Sequence, residues 1–166
     1  IRRLYDKLTR PRSAKTGALF EEWRKAVSMA YPRFGEEVKG VADLYGFRER
    51  VDGDRLFFAI QTYYSVVLKL IAAEIAAKFY NTSVSAYPDH LRGVRDPEEF
   101  KRAFERVGSG ELFEGLGIKN FAERDFFSWY LEEWDADIEG LLRNVVAKLS
   151  EYDVSSVYLS LESARD

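Results

Sequence analysis

Residue types that could together support metal-assisted hydrolysis occur close together at Asp89, Glu99 and Lys101. Carboxylate oxygens are preferred ligands of hard divalent cations, so Asp89 and Glu99 could share one metal ion. A lysine near the metal could orient or deprotonate the attacking water. This chemistry requires that the folded chain place all three side chains around one point.

The spacing Pro88-Asp89 followed by Glu99-Phe100-Lys101 matches, letter by letter, the PD…ExK pattern of metal-dependent nucleases. In that pattern the Glu and the Lys lie on a strand, one residue apart and on the same face. The segment that begins at Pro97 has helical spacing instead, and a helix turns positions 99 and 101 away from each other. We therefore interpret the match as coincidental and expect no catalytic residue in the chain.

Composition excludes most other catalytic and metal-binding sets. The chain has no cysteine and one histidine, His90, which excludes a cysteine nucleophile, a cysteine zinc site and a pair of histidine ligands. A cluster of acidic residues lies near the end of the chain, at Glu132, Glu133, Asp135, Asp137 and Glu139. It lacks the Glu-x-x-His partners of a di-metal site in a helical bundle. We expect a solvated, helix-capping face there, and we expect the chain to bind neither a metal nor a cofactor.

The element around which the other segments are expected to pack is a long helix over residues 54–81. It is apolar on nearly all sides over residues 56–68, which is typical of a bundle core or of a membrane span. Lys69 and Glu74 would lie within the span, where a charge costs about 2.5–3.5 kcal/mol near mid-bilayer. The uncharged run is also shorter than the roughly 20 residues that a span requires. We therefore predict a bundle core and no membrane partner.

The same helix is expected to be capped by Asp54, whose side chain can accept hydrogen bonds from the first free N–H groups. Aromatic side chains along it are expected to contact the surrounding helices, at Phe57, Phe58, Tyr63, Tyr64 and Phe79. Its polar residues Gln61, Tyr64 and Lys69 have two interpretations. They are satisfied by internal hydrogen bonds, or they line a groove used by a partner domain.

Apolar residues at helical spacing predict further helices on both sides of the long one, over residues 1–9, 14–30, 34–47, 97–107, 122–134 and 136–149. The last two ranges are either two helices or one bent helix. In the third range, the side chains of Val38, Val41, Ala42, Leu44 and Tyr45 are expected to face inward. Residues 82–97 are rich in Ser, Gly and Pro, which predicts a loop or insertion. In residues 154–166 Val157, Leu159 and Leu161 alternate, and this leaves a strand and an extended linker to a following domain as alternatives.

The sequence thus predicts an all-α fold: a single multi-helix bundle over residues 1–166, with a short extended segment near the C-terminus as the only exception. The chain starts and ends in mid-pattern, so we expect it to be a fragment of a larger polypeptide. Its net charge of −3 gives no overall basic field of the kind that attracts nucleic acid.

Basic residues are nevertheless concentrated at the N-terminus, where Asp6 is the only nearby acid: Arg2, Arg3, Lys7, Arg10, Arg12 and Lys15. One interpretation is the solvated face of a terminal helix. The other is a patch that faces the phosphates of a nucleic acid, since phosphate neutralisation by Lys and Arg supplies most sequence-independent affinity.

A resemblance to a known family is carried by three strings of the sequence: LFFAIQTYYSVVLKLIAAEIAA, GLGIKNFAERDFFSWYLEEW and LLRNVVAKLSEYD. They resemble the helical region that precedes the catalytic domain in large adenine-specific DNA methyltransferases of restriction-modification systems. The matching residues are 58–64, 125–134 and 141–153, and the similarity is weak elsewhere.

This resemblance implies a helical accessory or connector domain that positions the methyltransferase core of the same cytoplasmic polypeptide. The family's Asn-Pro-Pro-Tyr motif, which holds the flipped adenine, is absent from the chain, as is its cofactor motif. No catalytic residue is therefore carried over, and S-adenosylmethionine is expected only in the parent protein. Contacts to the backbone of double-stranded DNA are expected from the N-terminal basic residues. The alternative is a helical protein-interaction module with no nucleic-acid role, which the acidic net charge favours.

Overall fold

The computed structural model describes residues 1–79, 87–115, 118 and 126–152, apart from the side chains of residues 78 and 79. Within these ranges every regular element is a helix, which confirms the all-α prediction and the long apolar helix. The α-helices are α1 (Arg2–Thr9), α2 (Ala14–Ala30), α3 (Phe34–Lys39), α4 (Gly53–Phe79), α5 (Tyr87–Gly93), α6 (Pro97–Ser109), α7 (Glu111–Gly115) and α8 (Ala136–Leu149). Short 3₁₀ helices occupy Ala42–Tyr45 and Phe126–Leu131. The predicted extended segment within 154–166 lies outside the described residues.

The contacts of the chain divide into two compact units. The first unit comprises residues 1–66 and 125–138, and the second comprises residues 67–124 and 139–166. Helix α4 contributes its N-terminal part to the first unit and its C-terminal part to the second. This division does not test the prediction of a single domain over residues 1–166, which stays a prediction.

Helix α4 begins one residue before the predicted start, because a different carboxylate caps it. The Asp52 Oδ1 atom accepts hydrogen bonds from the backbone N–H groups of Asp54, at 3.0 Å, and Arg55, at 3.1 Å. The predicted capping role of Asp54 is therefore wrong. Asp52 satisfies the N–H groups that the first turn of a helix leaves without intrahelical acceptors.

An aromatic cluster on α4 forms the centre of the first unit. The Phe58 ring is fully buried and lies 4.7 Å from the Trp23 ring centroid and 6.0 Å from that of Trp129. The Trp129 Nε1–H group donates a 2.8 Å hydrogen bond to the Thr62 hydroxyl, which in turn donates to the Phe58 carbonyl. This cluster joins α2, α4 and the 3₁₀ helix Phe126–Leu131 through both ring contacts and satisfied polar groups.

The helix predicted over residues 34–47 is wrong in its middle, where the chain leaves the α-helical path after α3. The 3₁₀ helix that follows changes the side-chain period, so Leu44 is 81% exposed and Val41 is 38% exposed instead of facing inward. Gly46 ends this segment at a φ of 77°, because glycine adopts positive φ without strain. Phe47 then enters the core of the unit with 1% exposure.

Tyr64, one of the predicted aromatic contacts of the long helix, lies at its surface. It is 50% exposed, so α4 is not covered on all sides by the described residues. The side chain of Phe79, also predicted to be a contact, lies outside the described part of the chain.

In the second unit, α5 replaces part of the loop predicted over residues 82–97. Pro88 lies in the first turn, where its missing N–H group removes no helical hydrogen bond. Tyr87 and Leu91 lie one turn apart and are both buried, and the Glu74 carboxylate accepts a hydrogen bond from the Tyr87 N–H group. Burial and this cap therefore stabilise a helix where composition alone indicated a loop.

The second unit also contains the helix predicted from residue 97. Asp96 caps α6 by accepting a 2.8 Å hydrogen bond from the Glu99 N–H group, and Gly110 ends it at a φ of 82°. The Phe100 ring is fully buried, and the Arg143 guanidinium carbon lies 4.1 Å from its centroid. Arg143 also donates to the Val94 carbonyl at 2.8 Å. These contacts fasten α8 to α6.

One helix in the described part of the chain, within Gly53–Ala77, is long and apolar enough to cross a membrane by length and composition. The buried share of its most apolar window is 44%. Lys69 and Glu74 are 8% and 3% exposed within the folded chain, and each makes a polar interaction there. The absence of a membrane partner stays a prediction.

A steric prediction follows from the close approach of α3 and α4. A Cβ atom on Gly53 would overlap the Gly35 carbonyl oxygen and lie 2.6 Å from its carbonyl carbon. We expect Gly53→Ala to lower the free energy of unfolding by about 1–3 kcal/mol, because backbone atoms must move apart. Urea denaturation measures this loss.

Gly17→Ala is the matched control, since Gly17 lies inside α2 with no atom within 4 Å of the added Cβ. Alanine there should stabilise the protein by about 0.5–1 kcal/mol, because it loses less backbone entropy than glycine on folding. Equal stability of Gly53→Ala and the unsubstituted protein would contradict the close approach.

Candidate functional site

The N-terminal basic residues and the acidic cluster of residues 132–137 meet in the first unit. The Lys7 side chain is hydrogen-bonded to the Asp135 carboxylate and lies 3.7 Å from that of Asp137. Arg12 lies 3.2 Å from Asp135, and Lys15 is paired with Glu132. We call these residues, together with Glu133, the charge network. It joins α1 and the start of α2 to the turn that precedes α8.

Glu133 is the buried centre of the charge network, with 0% exposure. Its carboxylate accepts hydrogen bonds from the backbone N–H groups of Arg12, at 3.0 Å, and Ser13, at 2.9 Å. It also accepts one from the Thr16 hydroxyl at 2.8 Å. The predicted solvated face is therefore wrong at this residue, because these donors replace water around the carboxylate.

The same donors determine the protonation of Glu133. Burial alone raises the pKa of its carboxyl group, but the N–H groups of Ser13 and Arg12, the Thr16 hydroxyl and the Arg12 charge outweigh burial. The pKa therefore lies below its ordinary value. Hydrogen bonds and positive charge favour the ionised form of a carboxyl group, so Glu133 is a permanent anion at neutral pH.

Asp135 has two roles in the charge network. Its Oδ1 atom accepts hydrogen bonds from the backbone N–H groups of Asp137, at 3.1 Å, and Ile138, at 3.2 Å, so at this residue the acidic cluster caps a helix, as expected. Burial raises the pKa of Asp135, and the hydrogen bonds from Lys7 and Ile138 with the charges of Lys7 and Arg12 lower it further than burial raises it. Its other carboxylate oxygen faces the basic residues.

The remaining basic candidates differ in their partners. Arg2 donates a 2.7 Å hydrogen bond to Glu49, and Arg3 donates a 3.0 Å hydrogen bond to the Asp137 carbonyl oxygen. Within the described part of the chain, the Arg10 guanidinium makes no hydrogen bond or ion pair. Most of the predicted phosphate-facing patch is thus already bonded to acceptors of the protein itself.

A surface cavity of about 350 Å³ lies beside the charge network. Its walls carry cations and carboxylates together: Arg3, Asp6, Lys7, Arg10, Arg12 and Asp137. The arrangement provides guanidinium donors, which bind carboxylate and phosphate oxygens. It is suited to binding an anion rather than to acid–base chemistry.

The polar residues predicted to line a groove have different surroundings. Gln61 accepts a 2.9 Å hydrogen bond from Trp23 Nε1, in agreement with the alternative of internal hydrogen bonding. Tyr64 is half-exposed, and burial, together with the nearby Tyr64 hydroxyl, raises the pKa of Tyr45. Lys69 is buried in the second unit and makes a polar interaction there. The groove assignment stays a prediction.

The nuclease-like residues lie on two different helices of the second unit. Asp89 is on α5, in the wall of a largely apolar cavity of about 250 Å³. Glu99 and Lys101 are on α6, as the helical spacing predicts, and Lys101 lies 3.7 Å from Glu105 of the same helix. Among the described residues there is no group of three or more His, Cys, Asp or Glu side chains that could hold a metal ion.

The sequence provided one unused signal for the charge network. Thr16 lies one turn before Phe20 on the face of α2 that includes Trp23, and all three are buried. A threonine on an apolar face requires a hydrogen-bond partner. That partner, Glu133, is separated from Thr16 by more than a hundred residues, and no local sequence pattern identifies it.

The chain matches no protein-family model, no curated protein and no solved structure. The resemblance to the methyltransferase family therefore depends on the three strings of the sequence alone, and it stays a prediction.

Proposed function

We propose that this chain is a non-catalytic helical connector domain of an adenine-specific DNA methyltransferase of a restriction-modification system. It positions the methyltransferase core of the same polypeptide and contacts the DNA backbone. S-adenosylmethionine binds elsewhere in that cytoplasmic polypeptide, and no residue of this chain takes part in methyl transfer.

The observation that carries this proposal is the packing of two of the resembling strings against each other. Trp129, from the second string, stacks on Phe58 of the first and donates its N–H group to Thr62. From the third string, Leu142 and Val146 are buried in the second unit. Residues that form a core specify a fold. Their occurrence in this chain and in the strings of the methyltransferase family that it resembles supports a common helical domain.

The charge network limits the DNA contact in this proposal. Lys7, Arg12 and Lys15 are paired with carboxylates, which compete with phosphate for the same donors. A surface with so many internal pairs contacts few phosphates, and a strongly basic groove is not needed in a domain whose main role is positioning.

The alternative, a protein-interaction module without a nucleic-acid role, is favoured by exposed apolar side chains in the first unit. Met29 is 81% exposed, Tyr31 70% and Leu44 81%. Large apolar side chains in water are typical of surfaces that bind other proteins when they form a contiguous patch.

The test of the proposed function uses the full-length polypeptide in which this chain occurs. We expect an Asn-Pro-Pro-Tyr motif after Asp166, and transfer of the labelled methyl group of S-adenosylmethionine to adenine in duplex DNA. Alanine in place of the asparagine of that motif is the control and should abolish incorporation. A downstream sequence without the motif, combined with no incorporation of the methyl group, would contradict the proposal. The alternative, a protein-interaction module, would then be favoured.

A further inference from the structure

We propose that Arg10 is the centre of a site for a single backbone phosphate of duplex DNA, formed in the cavity between Arg3, Arg10 and Arg12. This inference rests on the proposed function and restricts its DNA contact from a basic patch to one phosphate.

The first step is the state of the Arg10 side chain. Arg10 follows α1 directly and is exposed. Its guanidinium group has no acceptor among the described residues, whereas its neighbours Arg3 and Arg12 bond to the protein. A guanidinium carries five N–H donors in a planar fork that fits two phosphate oxygens at once. Arg10 can therefore bind an anion without first breaking an internal ion pair.

The second step is that the surrounding cations are held in place. Arg12 donates to the Glu133 carbonyl at 2.7 Å, and Arg3 donates to the Asp137 carbonyl at 3.0 Å. Lys7 is only 18% exposed in its ion pair with Asp135. Side chains that are already ordered lose little further entropy when an anion binds.

The third step is the charge of the cavity. Its walls carry four cations, Arg3, Lys7, Arg10 and Arg12, and the two carboxylates of Asp6 and Asp137. The walls therefore carry two more positive than negative charges, and this excess attracts an anion such as a phosphodiester. A second phosphate in the cavity would lie beside the carboxylates of Asp6 and Asp137, and like charges at close range repel each other.

The site differs from a continuous DNA-binding track because the other basic candidates are engaged away from the cavity. Arg2 is bonded to Glu49 and Lys15 to Glu132. A row of phosphates would have to displace both carboxylates. One phosphate at Arg10 displaces none.

The slope of log Kobs against log salt concentration is proportional to the number of DNA phosphates that the protein contacts. For the full-length polypeptide, replacing Arg10 with glutamine should reduce the slope of log Kobs against log salt concentration by about 0.9, the value for one phosphate. Affinity at low salt should fall by roughly tenfold, since a charge-assisted hydrogen-bonded contact is lost. Arg92→Gln is the matched control, because Arg92 is an exposed arginine on α5 outside the cavity; its slope and affinity should equal those of the unsubstituted protein.

A second measurement separates this site from the proposed function. Inorganic phosphate added to the 166-residue chain should shift the ¹⁵Nε NMR signal of Arg10 and leave that of Arg92 unchanged. An unchanged slope for Arg10→Gln overturns the site, even where methyl transfer occurs and the proposed function stands. A reduced slope in a polypeptide without methyl transfer supports the site and refutes the proposed function. A phosphate-induced shift without any change in DNA affinity overturns the assignment to DNA.

Discussion

Replacing Trp129 with alanine is expected to lower the free energy of unfolding by about 3–5 kcal/mol, the loss typical of a buried Trp truncated to Ala. Trp129 is fully buried, and its ring stacks on Phe58 at a centroid distance of 6.0 Å. Truncation leaves a cavity in the aromatic cluster and removes the donor to Thr62. Thermal or urea unfolding monitored by circular dichroism measures the loss.

Two controls separate the causes of that loss. Trp129→Phe keeps an aromatic ring and removes only the N–H group and part of the volume, so its cost should be smaller than that of alanine. Met29→Ala truncates a side chain that is 81% exposed and should change stability by less than about 0.5 kcal/mol. A loss for Trp129→Ala no greater than that for Met29→Ala would show that the aromatic cluster is not the core of the first unit.

Replacing Glu133 with alanine is expected to cost about 3–5 kcal/mol, because each of three donors loses its acceptor and an unsatisfied buried donor costs about 1–3 kcal/mol. The substitution leaves the N–H groups of Arg12 and Ser13 and the Thr16 hydroxyl without the acceptor that they share. The neighbouring Glu132→Ala is the matched control. Its carboxylate is 38% exposed in its pair with Lys15, so we expect a loss below about 1 kcal/mol.

Acid should lower the free energy of unfolding through protonation of Glu133. The pKa of Glu133 lies below its ordinary value of 4.5, so the unfolded chain takes up a proton at a higher pH than the folded one. The contribution of Glu133 to stability is complete well above pH 4.5 and is lost as the pH falls from there through the folded pKa. Asp135 has a lowered pKa and adds a loss in the same direction.

Urea midpoints measured from pH 7 down to pH 3 test this dependence. The unsubstituted protein should lose stability more steeply below pH 4.5 than Glu133→Gln, whose amide does not titrate. Parallel curves for the two proteins would show that Glu133 is not held as an anion in the folded state.

The long helix was predictable because its signal is local: a run of apolar residues at helical spacing that few other structures accommodate. The cap of α8 by Asp135 was predictable for the same reason, since a capping side chain lies next to the helix that it caps. The break after α3 was not, because Val41 and Leu44 have the residue types of a helical stripe. In the structure they are exposed, and Phe47, three residues after Leu44, is buried instead.

The charge network shows the limit of local interpretation more clearly. Six basic residues are close together in one stretch of the sequence, and five carboxylates are close together in another. Neither sequence window contains information that Lys7 lies against Asp135 or that Glu133 is buried under Arg12. Pairing between distant segments depends on the topology of the chain, which spacing alone does not determine.

The first unit combines two segments that are distant in the sequence, and this has a consequence for biosynthesis. Residues 1–66 reach their partners in residues 125–138 only after the intervening segment has left the ribosome, which takes several seconds at roughly 5–20 residues per second. During that interval Phe58 and Thr62 lack Trp129, and Arg12 lacks Glu133. The nascent N-terminal segment therefore keeps apolar side chains exposed during this interval. We expect chaperones to bind it mainly in that period.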